Sequence, residues 1–467
     1  MDCVTRLDNI EERMNYLDFE VLPRTFKDAV SVTLALGYNH LWIDCICIIQ
    51  DDDSDWETEC PKMAHIYGNA DLTVAAVTAT DDRAGFLGVR SNPDSPSSCK
   101  LRYWNKQQLP ADVIVVEYIG NTNERLMPGF HNLLDSRGWT LQERTLSPRV
   151  PSFSRDKIFW ECNANRRLES LHFVRTRDRQ NLRTIKLDLR ALDRPSVYRW
   201  WYEILEDYCQ RDLTFPMDKL PAISGIAAAV QKVTGDTYLA GLWQNDIASG
   251  LAWMSFHTYR HSYDTQLPCR APSWSWARSD CRGAESRFPV VDEFNTTIHG
   301  YVKFISAKVN LRGKDLFGQV EHGTELSIQV PTKQGFMGRG FGITPGQFAH
   351  HAKVVIRLPY ITTDLTALRV SIDDPEFLSQ ILDQSLVMTN EWSEEHEGLQ
   401  VTTIHLCSCE TPHIKSSLSY GLVLMRTGDG GTFRRVGLLD SAFYGENQKT
   451  AIDEWFADAE MQDLTLV

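Results

Sequence analysis

Two carboxylates stand where the sequence otherwise predicts apolar surroundings. Asp44 interrupts the apolar run Leu41–Ile49, and Glu59 falls within the apolar arc of a predicted helix, between Trp56 and Ile66. A carboxylate taken out of water costs free energy unless it is paired, and burial raises its pKa. Each of these two residues is therefore either a paired structural group or a functional acid.

A second group of polar residues surrounds Trp139. Arg137 precedes it, and Gln142, Glu143 and Arg144 follow it. An arginine fork can hold a phosphate or a carboxylate of a ligand. A structural ion-pair network explains the same residue types, so both interpretations stay open.

The elements that must position these residues predict an α/β domain. A helix is expected from Thr25, its capping residue, to a stop at Gly37. Leu41–Ile49 is apolar on both faces, which is typical of a covered strand in a parallel sheet. A helix over 55–67, interrupted or kinked at Pro61, and a strand over Leu72–Val77 follow, and this alternation favours an open parallel sheet.

The rest of the chain divides by composition. Residues 1–21 form an acidic N-terminal segment, 22–162 the α/β domain, 163–277 a helical region, and 278–467 a β-rich module. The clearest signal in the last part is 420–439, two strand-like runs around an Asp-Gly-Gly turn, which predicts a hairpin.

Composition excludes several function classes. A formal net charge of -14 argues against binding to nucleic acid or an anionic membrane. Eleven cysteines at irregular spacing predict free thiols in a reducing, intracellular compartment. No P-loop, GxGxxG or metal-binding spacing occurs, and His350 and His351 would point to opposite faces of a strand, so no metal site and no certain cofactor are predicted.

Three motifs in order resemble the fungal heterokaryon-incompatibility (HET) domain. They are the run 22–79 (LPRTFKDAVSVTLALGYNHLWIDCICIIQDDDSDWETECPKMAHIYGNADLTVAAVTA), AGFLGVR at 84–90, and RGWTLQERTLSPRV at 137–150. The resemblance places a HET domain over 22–162. It continues through 211–227, 238–253 and APSWSWA at 271–277, which are similar to the region that follows HET domains, and it is thin beyond Ala277.

The resemblance implies a cytoplasmic fungal protein of non-self recognition or regulated cell death. Its implied partners are allelic or non-allelic incompatibility proteins, with self-association possible. HET domains are thought to be remote relatives of TIR domains, which implies a TIR-like or flavodoxin-like fold. Because some TIR domains cleave NAD with a glutamate near a tryptophan, it also implies Glu59 and Asp44 as catalytic residues, and Trp56 and Arg137 as residues that bind NAD as a substrate.

The sequence departs from the family in two places that bear on the site. HET domains usually open with a strand carrying an S-Y-x-W-G-like motif, which is not found before Leu22, so the domain is expected to be short at its N-terminus. Pro61 stands where the family has a small helix former. Three hypotheses follow: a module that acts by assembly, an NAD-cleaving enzyme, or an inactive, degenerate paralogue.

Overall fold

The computed structural model describes two compact units of the chain. The described residues are 3–88, 98–104, 110–116, 133–154, 158–168, 188–255, 270–279, 286–288, 297–339, 354–357, 368–372, 399–410, 417–428, 431–440, 452–453 and 455–467. The N-terminal unit spans Met1–Asp188 and the C-terminal unit spans Leu189–Val467. The four-part division by composition stays a prediction.

Helices occur in both units. The α-helices are α1 Ile10–Asn15, α2 Arg24–Ala35, α3 Asp44–Cys47, α4 Asp53–Glu59, α5 Met63–Asn69, α6 Gly138–Leu146, α7 Arg194–Cys209, α8 Ser224–Thr234 and α9 Ile247–Leu251. Short 3-10 helices lie at Phe19–Val21, Cys60–Lys62, Leu189–Ala191, Pro216–Lys219, Pro221–Ile223, Gln244–Asp246 and Trp276–Arg278.

Strands are concentrated in the C-terminal unit. Those of the N-terminal unit are β1 Ser98–Trp104, β2 Pro110–Val116, β3 Arg149–Phe153, β4 Ile158–Cys162 and β5 Arg166–Leu168. Those of the C-terminal unit are β6 Tyr238–Leu239, β7 Leu242–Trp243, β8 Met254–Ser255, β9 Ser286–Arg287, β10 Thr297–Gly300, β11 Lys303–Lys308, β12 Glu325–Arg339, β13 Val354–Arg357, β14 Leu368–Ile372, β15 Leu399–Glu410, β16 Ser417–Thr427, β17 Thr432–Asp440 and β18 Glu460–Leu466.

Helix α2 confirms the first predicted helix, with a correction at its start. The helix ends as expected, because Gly37 adopts a φ of 82° and its N–H donates to the carbonyl of Leu34. Thr25 does not cap the helix, which begins after Pro23 without a side-chain cap. Its hydroxyl donates instead to the carbonyl of Asp81 at 3.0 Å.

The predicted strand over Leu41–Ile49 is wrong. Its centre forms the one-turn helix α3, and the Asp44 carboxylate accepts the backbone N–H of Cys45 at 2.8 Å. A short acidic side chain that binds nearby backbone favours a helix start over a strand interior. The main chain around α3 pairs instead with Thr5, whose N–H donates to Cys45 and whose carbonyl accepts from Gln50.

The predicted strand over Leu72–Val77 is reduced to a short parallel bridge to β3. The N–H groups of Thr73 and Ala75 donate to β3, and the Phe153 N–H donates to the Ala75 carbonyl at 2.8 Å. The other strand pairs among the described residues of this unit are antiparallel: β1 with β2, and β4 between β3 and β5. The unit thus combines helices and sheets, and the described strands do not form the open parallel sheet predicted for it.

The mostly β character of the last third is confirmed. Among the described residues of this unit, nine strands form one sheet, whose path runs β10-β15-β16-β17-β14-β13-β12-β11, with β18 joined to β12 and β17. The predicted hairpin is the antiparallel pair of β16 and β17. Because the long strand β12 also pairs with β15, the strands from β15 to β12 form a closed ring of pairings.

Candidate functional site

Glu59 lies at a break between two helices, as Pro61 led us to expect. Helix α4 ends at Glu59, a 3-10 turn containing Pro61 follows, and α5 continues from Met63. The carboxylate is not in the apolar interior that the helical arc predicted. Its side chain is 23% exposed. Its Oε1 forms an ion pair with Lys62, whose Nζ donates to it at 2.7 Å from one turn onward.

Asp44 and Glu59 nevertheless come close to one thiol. Partial burial raises the pKa of Cys47, and the negative charges of Asp44 and Glu59 add to this rise, although a backbone hydrogen bond from Ile43 opposes it. Charge effects of this kind require proximity, because they fall off with distance. Both predicted catalytic carboxylates therefore act by charge on one thiol at the end of α3.

Tyr67 on α5 is a second group on which Asp44 acts by charge. Burial raises the pKa of its phenol far above the usual value, and Glu143, which also shares a hydrogen bond with it, and Asp44 raise it further by charge. Arg137 lowers the pKa in opposition. The ring also makes an edge contact with Trp42, with centroids 5.5 Å apart. Asp44 and Arg137, distant in sequence, thus act by charge on the same hydroxyl.

The remaining predicted residues have mixed placements. Trp56 is half-buried in the middle of α4. Arg137 itself is exposed at the N-cap position of α6. The structural interpretation is correct for Arg144, whose Nε donates to the buried Glu161 at 2.8 Å and whose Nη1 lies 3.4 Å from Asp135.

Sequence reasoning missed Tyr67 and Cys47 as members of this group. Tyr67 is the last residue of the helix predicted over 55–67, and at helical spacing it shares the apolar face of Met63, which gives no sign of a role for its hydroxyl. Cys47 falls within the run Leu41–Ile49 that predicts a covered strand, yet it is exposed at the end of α3. The signal that could have found both is their position one or two turns from an acidic residue, Glu59 or Asp44.

The group can do limited chemistry on its own. It offers two carboxylates, a guanidinium, a phenol and a thiol, which suit recognition of a polar ligand. Across the described parts of the chain, no three or more His, Cys, Asp or Glu side chains converge as a metal cluster would require. Among those same parts, no helix has the length and apolar character needed to cross a bilayer.

Comparison with known proteins identifies the N-terminal part of the chain. No curated protein and no solved structure matches it. The family model that does match is described as "Heterokaryon incompatibility protein (HET)" and covers residues 5–143, which include α1 to α5, α6 up to Glu143, and the group around Tyr67. Residues 5–143 of the chain therefore match a heterokaryon-incompatibility (HET) domain.

Proposed function

We propose that this protein acts in fungal non-self recognition or regulated cell death by associating with other proteins through its N-terminal unit. The observation that carries the proposal is a concentration of exposed apolar side chains in residues 7–41, here called the N-terminal apolar surface. Nine of the sixteen large apolar side chains exposed among the described residues belong to it: Leu7, Met14, Tyr16, Phe19, Val21, Leu34, Leu36, Tyr38 and Leu41.

The degree of exposure supports an interaction role. Met14 is 80% exposed, Val21 67% and Leu34 64%, and none of the side chains of α2 is buried. A surface helix normally buries its apolar stripe against a core. Contiguous exposed apolar patches on a folded protein are typical of protein interaction sites, and we infer that these side chains form one.

The proposed partners are proteins. Either an allelic or non-allelic incompatibility factor or a second copy of this chain would bury the N-terminal apolar surface. Nucleic acid and anionic membranes are disfavoured because the chain carries a formal net charge of -14. A cytoplasmic location belongs to the same proposal.

Growth assays in a filamentous fungus test the proposal. Full-length protein should arrest growth, and the double substitution Leu34→Glu, Leu36→Glu should abolish the arrest by charging the N-terminal apolar surface. Leu316→Glu, at a position 62% exposed in the C-terminal unit, is the matched control and should leave the arrest intact. Arrest that persists in the double variant contradicts the proposal.

NAD cleavage is the alternative function, and one observation favours it. Asp44 and Glu59 both act on the Cys47 thiol, and Asp44 and Arg137 both act on the Tyr67 hydroxyl. A carboxylate there would hold ribose hydroxyls and stabilise the positive charge that develops as nicotinamide leaves. The TIR-like fold belongs to this alternative. The parallel contact of Ala75 with Ser152 supports that fold, and helix α3 in place of a strand weighs against it.

Glu59→Gln separates the two functions. Assembly predicts that the variant still arrests growth, and enzymatic action predicts that arrest and nicotinamide release by the purified protein are lost together. Glu57→Gln, an exposed neighbour on α4, controls for the loss of one negative charge. A natural chain that neither arrests growth nor releases nicotinamide would support the third hypothesis, an inactive paralogue.

A further inference from the structure

The second half of helix α2 and the turn that follows it form a stretch without charged side chains. Residues 29–43 (AVSVTLALGYNHLWI), here called the uncharged segment, contain no Asp, Glu, Lys or Arg, although these four residue types make up 24% of the chain. Asp28 precedes the segment and Asp44 follows it. Four side chains of the N-terminal apolar surface belong to it: Leu34, Leu36, Tyr38 and Leu41.

The part of the uncharged segment from 34 to 41 faces water throughout. Every residue in this range is exposed, with Leu34 at 64%, Leu36 at 54% and Tyr38 at 39%. The surface of a soluble protein normally carries interspersed charges, which keep separate molecules apart. A run of exposed positions that is rich in apolar side chains and also lacks charge is therefore best explained by a contact that covers it.

The backbone of this part is held in one conformation. The Gly37 N–H donates to the Leu34 carbonyl and the Tyr38 N–H donates to the Thr33 carbonyl, both at 3.0 Å. The φ of 82° at Gly37 permits this turn. A surface whose backbone is fixed before binding loses less conformational entropy when it binds, which favours association.

A second copy of this chain is the partner that an uncharged surface suits best. In a two-fold symmetric contact the same patch lies on both sides, so a residue near the symmetry axis faces its own kind. A charged side chain there would meet a like charge, whereas an apolar side chain meets an apolar one. A different, charged partner would be selected by complementary charges, which the uncharged segment does not offer.

The net charge of the whole chain supports the same choice. With a formal net charge of -14, two copies repel each other, and the uncharged segment is where they can approach with the least local repulsion. Salt screens the repulsion between the remaining charges, because the Debye length falls from about 30 Å at 0.01 M to about 10 Å at 0.1 M. Association of two copies should therefore strengthen with salt, whereas binding of an oppositely charged partner should weaken.

We propose that the uncharged segment is the centre of a two-fold symmetric contact between two copies of this chain. This inference rests on the proposed function and deepens it, because it names the partner that covers the N-terminal apolar surface. Leu34, Leu36 and Tyr38 supply the core of the contact. The core of homodimer interfaces is more apolar than the rest of the protein surface, as these side chains make it.

Sedimentation of the purified full chain tests the contact. The natural chain should form dimers, with a larger dimer fraction at about 0.1 M than at about 0.01 M salt. The double substitution Leu34→Glu, Leu36→Glu and the double substitution Leu34→Lys, Leu36→Lys should each weaken the dimer at least about tenfold, because like charges then face each other. Leu316→Glu, at a position 62% exposed in the C-terminal unit, is the control and should leave the dimer unchanged.

The lysine variant separates local from overall charge. It makes the net charge of the chain less negative, so a loss of association must come from the contact itself. It is also expected to keep its fold, because cations stabilise the C-terminal end of a helix, where both positions lie. Circular dichroism checks the folding of both double variants. If the glutamate variant does not fold, the lysine variant decides alone.

A mixture of the two double variants tests the symmetry of the contact. Each variant alone should be monomeric, and the mixture should form dimers that contain one copy of each, because glutamates then face lysines. Loss of structure in either variant could not produce this recovery. A partner other than a second copy could not produce it either.

Three results would overturn the proposal: a natural chain that stays monomeric at both salt concentrations, dimers that the double substitutions leave unchanged, and a mixture of folded variants that stays monomeric. The proposed function has a separate outcome. If the natural chain is monomeric and the double glutamate variant still loses growth arrest, a different protein covers the N-terminal apolar surface, and only the dimer inference fails. If arrest persists in that variant, the proposed function fails.

Discussion

The Asp28 carboxylate accepts a hydrogen bond of 2.7 Å from the backbone N–H of Phe86, although the two residues are 58 positions apart. The same oxygen accepts the N–H of Leu87 at 2.9 Å, and the Thr25 hydroxyl accepts the N–H of Gly85 at 3.1 Å. Helix α2 thus holds the AGFLG segment by its backbone. This contact joins the first two of the three motifs that resemble the HET family.

Gly85 should be the residue that this contact tolerates least. Its φ is +71°, and an added Cβ would stand 2.8 Å from side-chain atoms of Arg24 and Asp28. Gly85→Ala therefore combines backbone strain with a clash, and we expect it to lower the free energy of unfolding of the N-terminal unit by more than about 1 kcal/mol. Urea unfolding of the full chain measures the change.

Gly88→Ala is the control for Gly85→Ala. Gly88 has no positive φ, and no atom within 4 Å would meet its Cβ. Its substitution should change the free energy of unfolding by less than about 0.5 kcal/mol. Equal effects of the two substitutions would show that the Asp28 contact does not constrain Gly85.

The buried ion pair of Arg144 and Glu161 supports a second prediction. Glu161 is fully buried and its carboxylate lies 2.8 Å from Arg144 Nε. Arg144→Met would leave a buried carboxylate without this partner, and the expected loss of stability is about 3–5 kcal/mol. Arg149→Met removes an arginine that is exposed at the start of β3, and it should cost far less.

A double variant distinguishes the ion pair from loss of the arginine's packing. Arg144→Met with Glu161→Leu removes both charges, and it should recover a large part of the stability that Arg144→Met loses. Thermal unfolding measures the loss of stability, and hydrogen exchange of the backbone amides in α6 reports on this region. If the double variant is no more stable than Arg144→Met, the charge of Glu161 is not the cause of the loss.

Sequence reasoning succeeded where local chemistry decides the structure. Gly37 ends α2 because glycine adopts a positive φ, and Pro61 separates α4 from α5 because it cannot continue a regular helix. The hairpin of β16 and β17 follows from its turn residues. These features depend on residues close together in the chain.

It failed where distant contacts decide. The apolar run around Asp44 was interpreted as a strand because periodicity cannot separate a short buried strand from a buried turn of helix. Pairing with Thr5, about forty residues earlier, determines the conformation instead. The helical arc predicted a buried Glu59, but its side chain is 23% exposed and forms an ion pair with Lys62.

The turn between β6 and β7 supports a third prediction. Gly241 has a φ of +105°, and a Cβ there would lie 2.6 Å from Nε1 of Trp276, which donates to the Gly241 carbonyl at 2.9 Å. Gly241→Ala should therefore displace Trp276, which is almost fully buried. We expect a loss of at least about 2 kcal/mol in the C-terminal unit, measured as a shift in its urea midpoint.

Gly235 separates crowding from backbone strain in this prediction. It ends α8 with a φ of +65°, but no atom within 4 Å would meet its Cβ. Gly235→Ala should cost only about 1 kcal/mol, from the left-handed backbone alone. A loss for Gly241→Ala no greater than that for Gly235→Ala would mean that Trp276 does not constrain the turn.

Asp246 should contribute more to the stability of the C-terminal unit in mild acid than at neutral pH. Burial raises its pKa from 3.8 to about 6, and Asp236 adds to the rise, although hydrogen bonds from Tyr202 and Ser249 oppose it. A group whose pKa is raised by folding binds its proton more tightly in the folded state. Its contribution to stability is therefore complete below pH 3.8 and is lost as the pH rises through about 6.

Asp246→Asn tests this pH dependence, since asparagine cannot titrate. The free energy of unfolding of the variant relative to the natural chain should rise between pH 4 and pH 7, because only the natural chain loses stability at this position. Tyr202 can still donate to the amide oxygen, so its 2.6 Å contact has a replacement. The exposed Asp212→Asn makes the same change in charge and should show a flat difference over that range. A flat difference for Asp246→Asn as well would show that the carboxylate titrates alike in the folded and unfolded chains.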